Sequence, residues 1–169
     1  MKTIENLEEL YYDQLRDLYS AETQLVEALP EMASNASNDE LREAFATHLA
    51  ETREHVARLD QLFSDHGITR EGEECEAMRG LINEARKHIS CTTRGEVRDA
   101  VLIASANRVE HYEIAAYGAT KAFAKVLGFD NAVDLLDETL QEEGHADDVI
   151  TKIATGGIFT TGINVAAIH

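Results

Sequence analysis

Apolar residues recur at helical spacing along most of this chain, in four runs of 25 residues or more joined by short polar or glycine-containing breaks. That pattern leaves little choice of fold class. The first helix is predicted to open at Thr3 as N-cap and to run to about residue 35, with Pro30 bending it or ending its first part. Asn38 is a suitable cap for a second helix over about 39–66, which stops at Gly67. A loose segment, 68–74, leads to a shorter helix over about 75–89. The third long helix covers about 95–127 and closes on Gly128; the fourth covers about 130–155 and closes on Gly156-Gly157.

Two of the connections are very short, so helices one and two, and three and four, must form antiparallel hairpins. The link between the hairpins is long and carries the extra helix. The expected architecture is therefore all-α: an antiparallel four-helix bundle over 1–156 with one long crossover, followed by an apolar, nearly uncharged tail, 157–169. That tail is expected to dock on the bundle or to form a subunit contact. Two tight hairpins need a core, and 44% apolar residues supply one.

Acids outnumber bases 32 to 15, for a formal charge of −17. Such a surface repels phosphate backbones, which excludes nucleic acid as an expected partner. No run is long and apolar enough to span a bilayer, and with Met1-Lys2-Thr3-Ile4-Glu5 running straight into charged helix no signal peptide is expected. Cys75 and Cys91, read on one helix, would lie roughly 24 Å apart at ~1.5 Å per residue, too far for a mutual disulfide. A cytoplasmic protein with free thiols is expected.

The informative residues are those that interrupt the apolar stripes. The first helix reads Ile4, Leu7, Tyr11, Leu15, Leu18, Glu22, Leu25, Leu29. The second reads Leu41, Ala44, His48, Glu51, His55, Leu59, Leu62. On the third, Ile103, Ala106, Glu110, Glu113, Tyr117, Ala124 and Leu127 share a face, and on the fourth Val133, Leu136, Leu140, Glu143, Asp147, Ile150 and Ala154 do. All four helices thus carry polar intruders near mid-length, which antiparallel hairpins bring to one height. Like charges gathered there would repel by several kcal/mol without a countercharge, and few basic residues share these faces. A pair of metal ions resolves the conflict, and a carboxylate-rich set with histidine suits iron or manganese.

The candidate metal ligands are Glu22, Glu51, His55, Glu110, Glu113, Glu143 and Asp147. Glu54 and His55 compete for the second position on helix two; the stripe favours His55. Glu142 and His145 form a literal Glu-x-x-His but fall off the Glu143/Asp147 line. His48 and His111 are read as supporting or surface groups. Tyr19, Tyr112 and Tyr117 are read first as core packing, with hydrogen bonding at the site as the alternative.

Four segments carry a resemblance: Tyr19-Ser-Ala-Glu22-Thr-Gln-Leu25, His48-Leu-Ala-Glu51-Thr52, Val109-Glu-His-Tyr-Glu-Ile-Ala-Ala-Tyr-Gly118 and Glu138-Thr-Leu-Gln-Glu-Glu143. They resemble the YciE/YciF group of bacterial ferritin-like proteins over about 4–154. The resemblance implies a ferritin-like, rubrerythrin-type bundle, dimeric as a rule and linked to stress. By similarity to rubrerythrin sites, Glu22, Glu51, Glu113 and Glu143 would be the four helix-borne carboxylates and Glu110 the additional ligand. Where rubrerythrins place histidines this chain has Glu54 or His55, and Asp147. It also lacks the paired Cys-x-x-Cys motifs of a rubredoxin-type iron site.

Two functions follow as expectations. One is a dimetal protein, iron or manganese, that reacts with a small oxidant such as peroxide or oxygen. The other is a non-enzymatic structural or metal-sequestering stress protein whose metal holds the bundle together.

Overall fold

Asn6, not Thr3, starts the first helix. The computed structural model describes residues 3–157 and 160–168. In it the Asn6 side chain accepts the Glu9 amide at 2.9 Å, and the Glu9 carboxylate accepts the Glu5 amide at 2.9 Å. Asparagine is the stronger cap, and the reciprocal bond from Glu9 adds to it. Ile4 is left outside the helix and exposed.

Helix α1 (Leu7–Asn35) runs unbroken through Pro30. The ring lies on the exposed side, where the carbonyl that loses its amide donor can be solvated. Helix α2 (Asp39–His66) begins at Asn38, whose Oδ1 accepts the Leu41 amide at 3.0 Å, and ends at Gly67 with φ 62. Helix α3 (Glu76–Ser90) occupies the crossover, with Cys75 and Cys91 at its two ends, both free. Helices α4 (Glu96–Leu127) and α5 (Asp130–Thr155) meet at Gly128, φ 76. The chain closes with a two-stranded antiparallel ribbon, β1 (Gly156–Gly157) and β2 (Thr160–Thr161), and one helical turn, α6 (Ile163–Ala166), which packs on α4 and α5. Ile158, Phe159 and His169 of the tail lie outside the described residues.

The α1–α2 and α4–α5 hairpins pack as a four-helix bundle, with α1 beside α4, α2 beside α5, and α3 laid against α1 and α4. Among the described residues no helix is long and apolar enough to cross a membrane.

A buried acid that the stripes did not reveal ties the two hairpins together. Asp99, in the first turn of α4, accepts the amides of Ser37 at 2.7 Å and Asn38 at 2.8 Å. These amides belong to the tight turn before α2, so one carboxylate fixes both the turn and its place against α4. Replacing Asp99 with alanine would leave two amides without an acceptor. A loss of about 3 kcal/mol is expected, read as a drop of roughly 6–12 °C in melting temperature. A drop under a degree would show that water replaces the carboxylate.

The core falls into two apolar clusters. One contains Leu25, Leu29, Phe45, Met78, Leu102 and Ile150; the other contains Tyr11, Leu15, Leu59, Leu62, Ala124 and Leu136. Between them lies a buried layer formed by Glu22, His48, Thr52, His55, Glu110, Glu113 and Glu143.

Candidate metal centre

Each long helix delivers its part of this layer from mid-length, flanked on both sides by apolar turns. On α1, Glu22 stands between Leu18 and Leu25. On α2 the inward face is Phe45, His48, Thr52, His55 and Leu59, a spacing of alternating three and four. On α4, Glu110 and Glu113 sit one turn apart, and on α5 Glu143 falls between Thr139 and Ala146. Two groups of ligand atoms converge there. His48, Glu110, Glu113 and Glu143 each bring one ligand atom within 4.8 Å of the others, as do Glu22, His55 and Glu143. Glu143 belongs to both.

Each of the two histidines turns one ring nitrogen inward and the other toward an outer glutamate. His55 Nε2 lies 3.0 Å from Glu142 Oε2, which fixes that nitrogen as the N–H donor. Its Nδ1 then faces inward, 3.0 Å from Glu143 Oε1 and 3.4 Å from Glu22 Oε1. His48 turns Nε2 inward, 3.4 Å from Glu110 Oε1 and 3.8 Å from Glu143 Oε2, while its Nδ1 faces Glu51 Oε2 at 3.5 Å. Glu142 is in turn gripped by the Arg58 guanidinium, one of whose bonds, to Oε1, measures 3.0 Å. Tyr117, fully buried, donates to Glu22 Oε1 at 2.5 Å.

Most other polar atoms of the layer have no hydrogen-bond partner. Both oxygens of Glu113 and of Glu143, Oε2 of Glu22 and of Glu110, both ring nitrogens of His48 and Nδ1 of His55 are buried and unsatisfied. Such atoms are costly in a dry interior, and metal coordination is the chemistry that satisfies carboxylate and imidazole lone pairs together. The donor set fits a pair of cations: one nitrogen and three carboxylates on one side, one nitrogen and two carboxylates on the other.

Protonation follows the same logic. Burial pushes the carboxyls of Glu110 and Glu113 well above the usual range, Glu113 further through Glu143 and Glu22. Glu22 also rises by burial, and Glu143 raises it further against the pull of His55. Burial works against charge on His48 as well. The carboxylates of Glu110, Glu51 and Glu143 outweigh it and push the imidazole pKa up to about 9. Burial likewise opposes charge on His55, yet Glu143 and Glu22 push it up to about 10. Glu143 is held low, against its burial, by His55 and His48. Protons thus take the place that cations would occupy.

Of the ligands expected from sequence, Glu22, His55, Glu110, Glu113 and Glu143 come together. Glu51 and Asp147 do not join them. Glu51 is half-buried behind His48. Asp147 accepts the Asn107 side-chain amide at 2.7 Å and faces His111. His48, read as a supporting group, is at the centre. Glu54 is exposed, as is His145. Tyr112 donates to Asp17 at 2.6 Å and lies 3.0 Å from Cys75 Sγ, outside the layer; Tyr19 packs edge-on against Phe63.

Comparison with known proteins shows the family and the fold. The family DUF892, described as a domain of unknown function, matches residues 6–161. The chain is 45% identical to protein YciF of Escherichia coli (strain K12), over 94% of each chain. Among solved structures, YcfI of Rhodopseudomonas palustris, given there as a candidate structural protein, superposes with a TM-score of 0.88 at 40% identity, over 90% of this chain and 98% of that one. The E. coli stress protein YciF superposes with a TM-score of 0.85 at 43% identity, over 88% and 94%.

Proposed function

This chain belongs to the DUF892 family and is similar to YciF, and from its buried layer of acids and histidines we propose that it is a ferritin-like dimetal protein that holds two iron or manganese ions and reacts with peroxide or oxygen. One observation carries the reading: Glu143 is shared by two buried groups of ligand atoms, as a carboxylate bridging two cations would be. With Glu143, the residues His48, Glu110 and Glu113 would hold one ion, and Glu22 and His55 the other.

A bound pair of divalent iron or manganese ions would supply, one electron each, the two electrons that with two protons take one peroxide to two waters. The chain's own groups set the conditions. The apolar clusters above and below the layer keep bulk water out, which strengthens every electrostatic interaction inside. Glu142 orients His55, and Arg58 holds Glu142 in place. Tyr117 steadies Glu22, and its hydroxyl is the proton donor nearest that carboxylate among the described residues.

Metal analysis of the full-length protein purified from iron- and manganese-replete medium is expected to give about two ions per chain. Peroxide consumption should follow metal content and disappear in Glu143→Ala. Substoichiometric metal in the wild type, unchanged by that substitution, would end the dimetal reading. Two ions per chain with no consumption of peroxide or oxygen would favour a second reading, a stress-related structural protein. That alternative draws support from the layer's position, since ions there would tie all four long helices together between two separate cores.

A further inference from the structure

The two histidines share one arrangement but meet different surroundings. Both stand on α2 facing α5, and each has a partly exposed glutamate behind it. Behind His55 the way is closed: Arg58 grips Glu142, bonds Glu138 at 2.9 Å, and donates to Thr139 at 3.2 Å. A guanidinium there repels an approaching cation as well as filling the gap. Behind His48, Glu51 has no basic residue beside it; His48 is its only charged partner among the described residues. On that side a cavity of about 260 Å³ opens between α2 and α5. Its polar lining includes Glu40, Glu43, Glu51, His145 and, at its inner end, His48.

His48 is 3% exposed, and neither of its ring nitrogens has a hydrogen-bond partner. It therefore touches the cavity with one edge and the Glu110/Glu143 side of the buried layer with the other. We propose that this α2–α5 cleft is the loading site for divalent cations, in which Glu43 and Glu51 hold a partly hydrated ion and His48 passes it to the inner carboxylates. Carboxylates with one imidazole suit a hard or borderline divalent cation that still carries waters. Glu51 acts here as a transit ligand outside the final set, which agrees with its half-exposed place behind His48. The inference rests on the dimetal reading, so the test reads the rate of filling separately from the final content.

Full-length protein stripped of metal is mixed with excess Co²⁺ in a stopped-flow instrument, and the visible absorbance is followed to its end point. Glu43→Lys and Glu51→Gln are expected to slow filling by tenfold or more while the final Co²⁺ per chain stays at the wild-type value. Asp13→Lys makes the same charge reversal as Glu43→Lys in the separate acidic groove beside α1 and should leave the rate unchanged. Equal slowing by Asp13→Lys would reduce the effect to net charge and overturn the proposal. Wild-type rates in both cleft variants would also overturn it, with the dimetal centre left standing. A lower final content in Glu51→Gln would make Glu51 a resident ligand and overturn its transit role. Wild-type protein that takes up no Co²⁺ would remove the dimetal reading and this one together.

Discussion

Replacing Glu113 with leucine is expected to raise the melting temperature of the metal-stripped protein and, in the same molecule, to abolish the rise that metal gives the wild type. The opposite signs come from one fact. Glu113 is fully buried and neither carboxylate oxygen has a hydrogen-bond partner. Without metal it is a polar group in a dry layer beside Glu110, Glu143 and Glu22, all acids. Leucine has a similar volume and no polar atoms to satisfy. Exchanging a buried charged network for packed apolar groups gains about 1–4 kcal/mol in comparable cases, which is several degrees for a chain of this size. With metal present the balance reverses. A ligand that binds only the folded state stabilises it by about 2.7 kcal/mol at a hundredfold excess over Kd. Removing Glu113 takes one of three carboxylates from the His48 position. Paired melting curves of wild type and Glu113→Leu, with chelator and with Mn²⁺, read both effects. Glu113→Gln separates shape from charge, since it keeps the size but retains buried polar atoms and should gain less. A leucine variant less stable than wild type in chelator would show that Glu113 is satisfied in the metal-free fold and would remove the main physical argument for a cation.

The four long helices disclose this centre to different degrees. On α1 and α4 the stripe reading is sound, because Glu22, Glu110 and Glu113 replace apolar residues in an otherwise consistent run. On α2 and α5 it slips by one position. The buried faces there are 45, 48, 52, 55 and 139, 143, 146, 150. Thr52 and Ala146 occupy inward positions, and the acids next to them, Glu51 and Asp147, draw attention because of their charge. Small residues are the subtler signal: a threonine that can return its hydroxyl to the His48 carbonyl at 2.8 Å is content in a core, whereas a glutamate is not. Steps of three and four are equally helical, so hydropathy alone cannot choose between 51 and 52. His48 and His55, seven apart, fall on the inward stripe in sequence and structure alike; the stripe does not report that His48 Nε2 meets Glu110 and Glu143 from other helices. Glu142 and Asp99 were beyond such reasoning. Each acts through a partner outside its own helix, Glu142 through α2 and Asp99 through the turn before α2, and no periodicity within its own segment reports that partner. The bundle itself was legible because caps, glycine stops and turn lengths act locally.

The metal affinity of this centre should rise steeply with pH, by about a hundredfold or more per pH unit for the filled pair between pH 6 and 8. The reason lies in what holds the layer together without metal. The groups that face one another are Glu22 from α1, His48, His55 and Glu51 from α2, Glu110 and Glu113 from α4, and Glu142 and Glu143 from α5. His48 and His55 are pushed up to about 9 and about 10, so both carry protons at neutral pH, and burial keeps Glu110 and Glu113 inclined to hold theirs. For the histidines the folded value exceeds the unfolded value of ~6.5, so their stabilisation is complete below pH ~6.5 and is lost as pH rises through about 9 and 10. The raised glutamates change stability in the same direction, starting lower, from the ordinary glutamate range. The metal-stripped protein should therefore melt at progressively lower temperature as the solution becomes more alkaline. Cations must displace these protons to bind, and each proton released adds about a factor of ten in affinity per pH unit, so two imidazolium protons alone account for a hundredfold. Calorimetric Mn²⁺ titrations at pH 6, 7 and 8, repeated in buffers of different ionisation enthalpy, count the protons directly. Release of two or more per filled pair, together with a flatter melting profile across pH for the loaded protein, is the expected result. Affinity independent of pH, with no proton released, would mean that the imidazoles are already neutral in the metal-free fold. The stabilising role assigned to their protons would then fail, and Glu110, Glu113, Glu22 and Glu143 would need another source of positive charge.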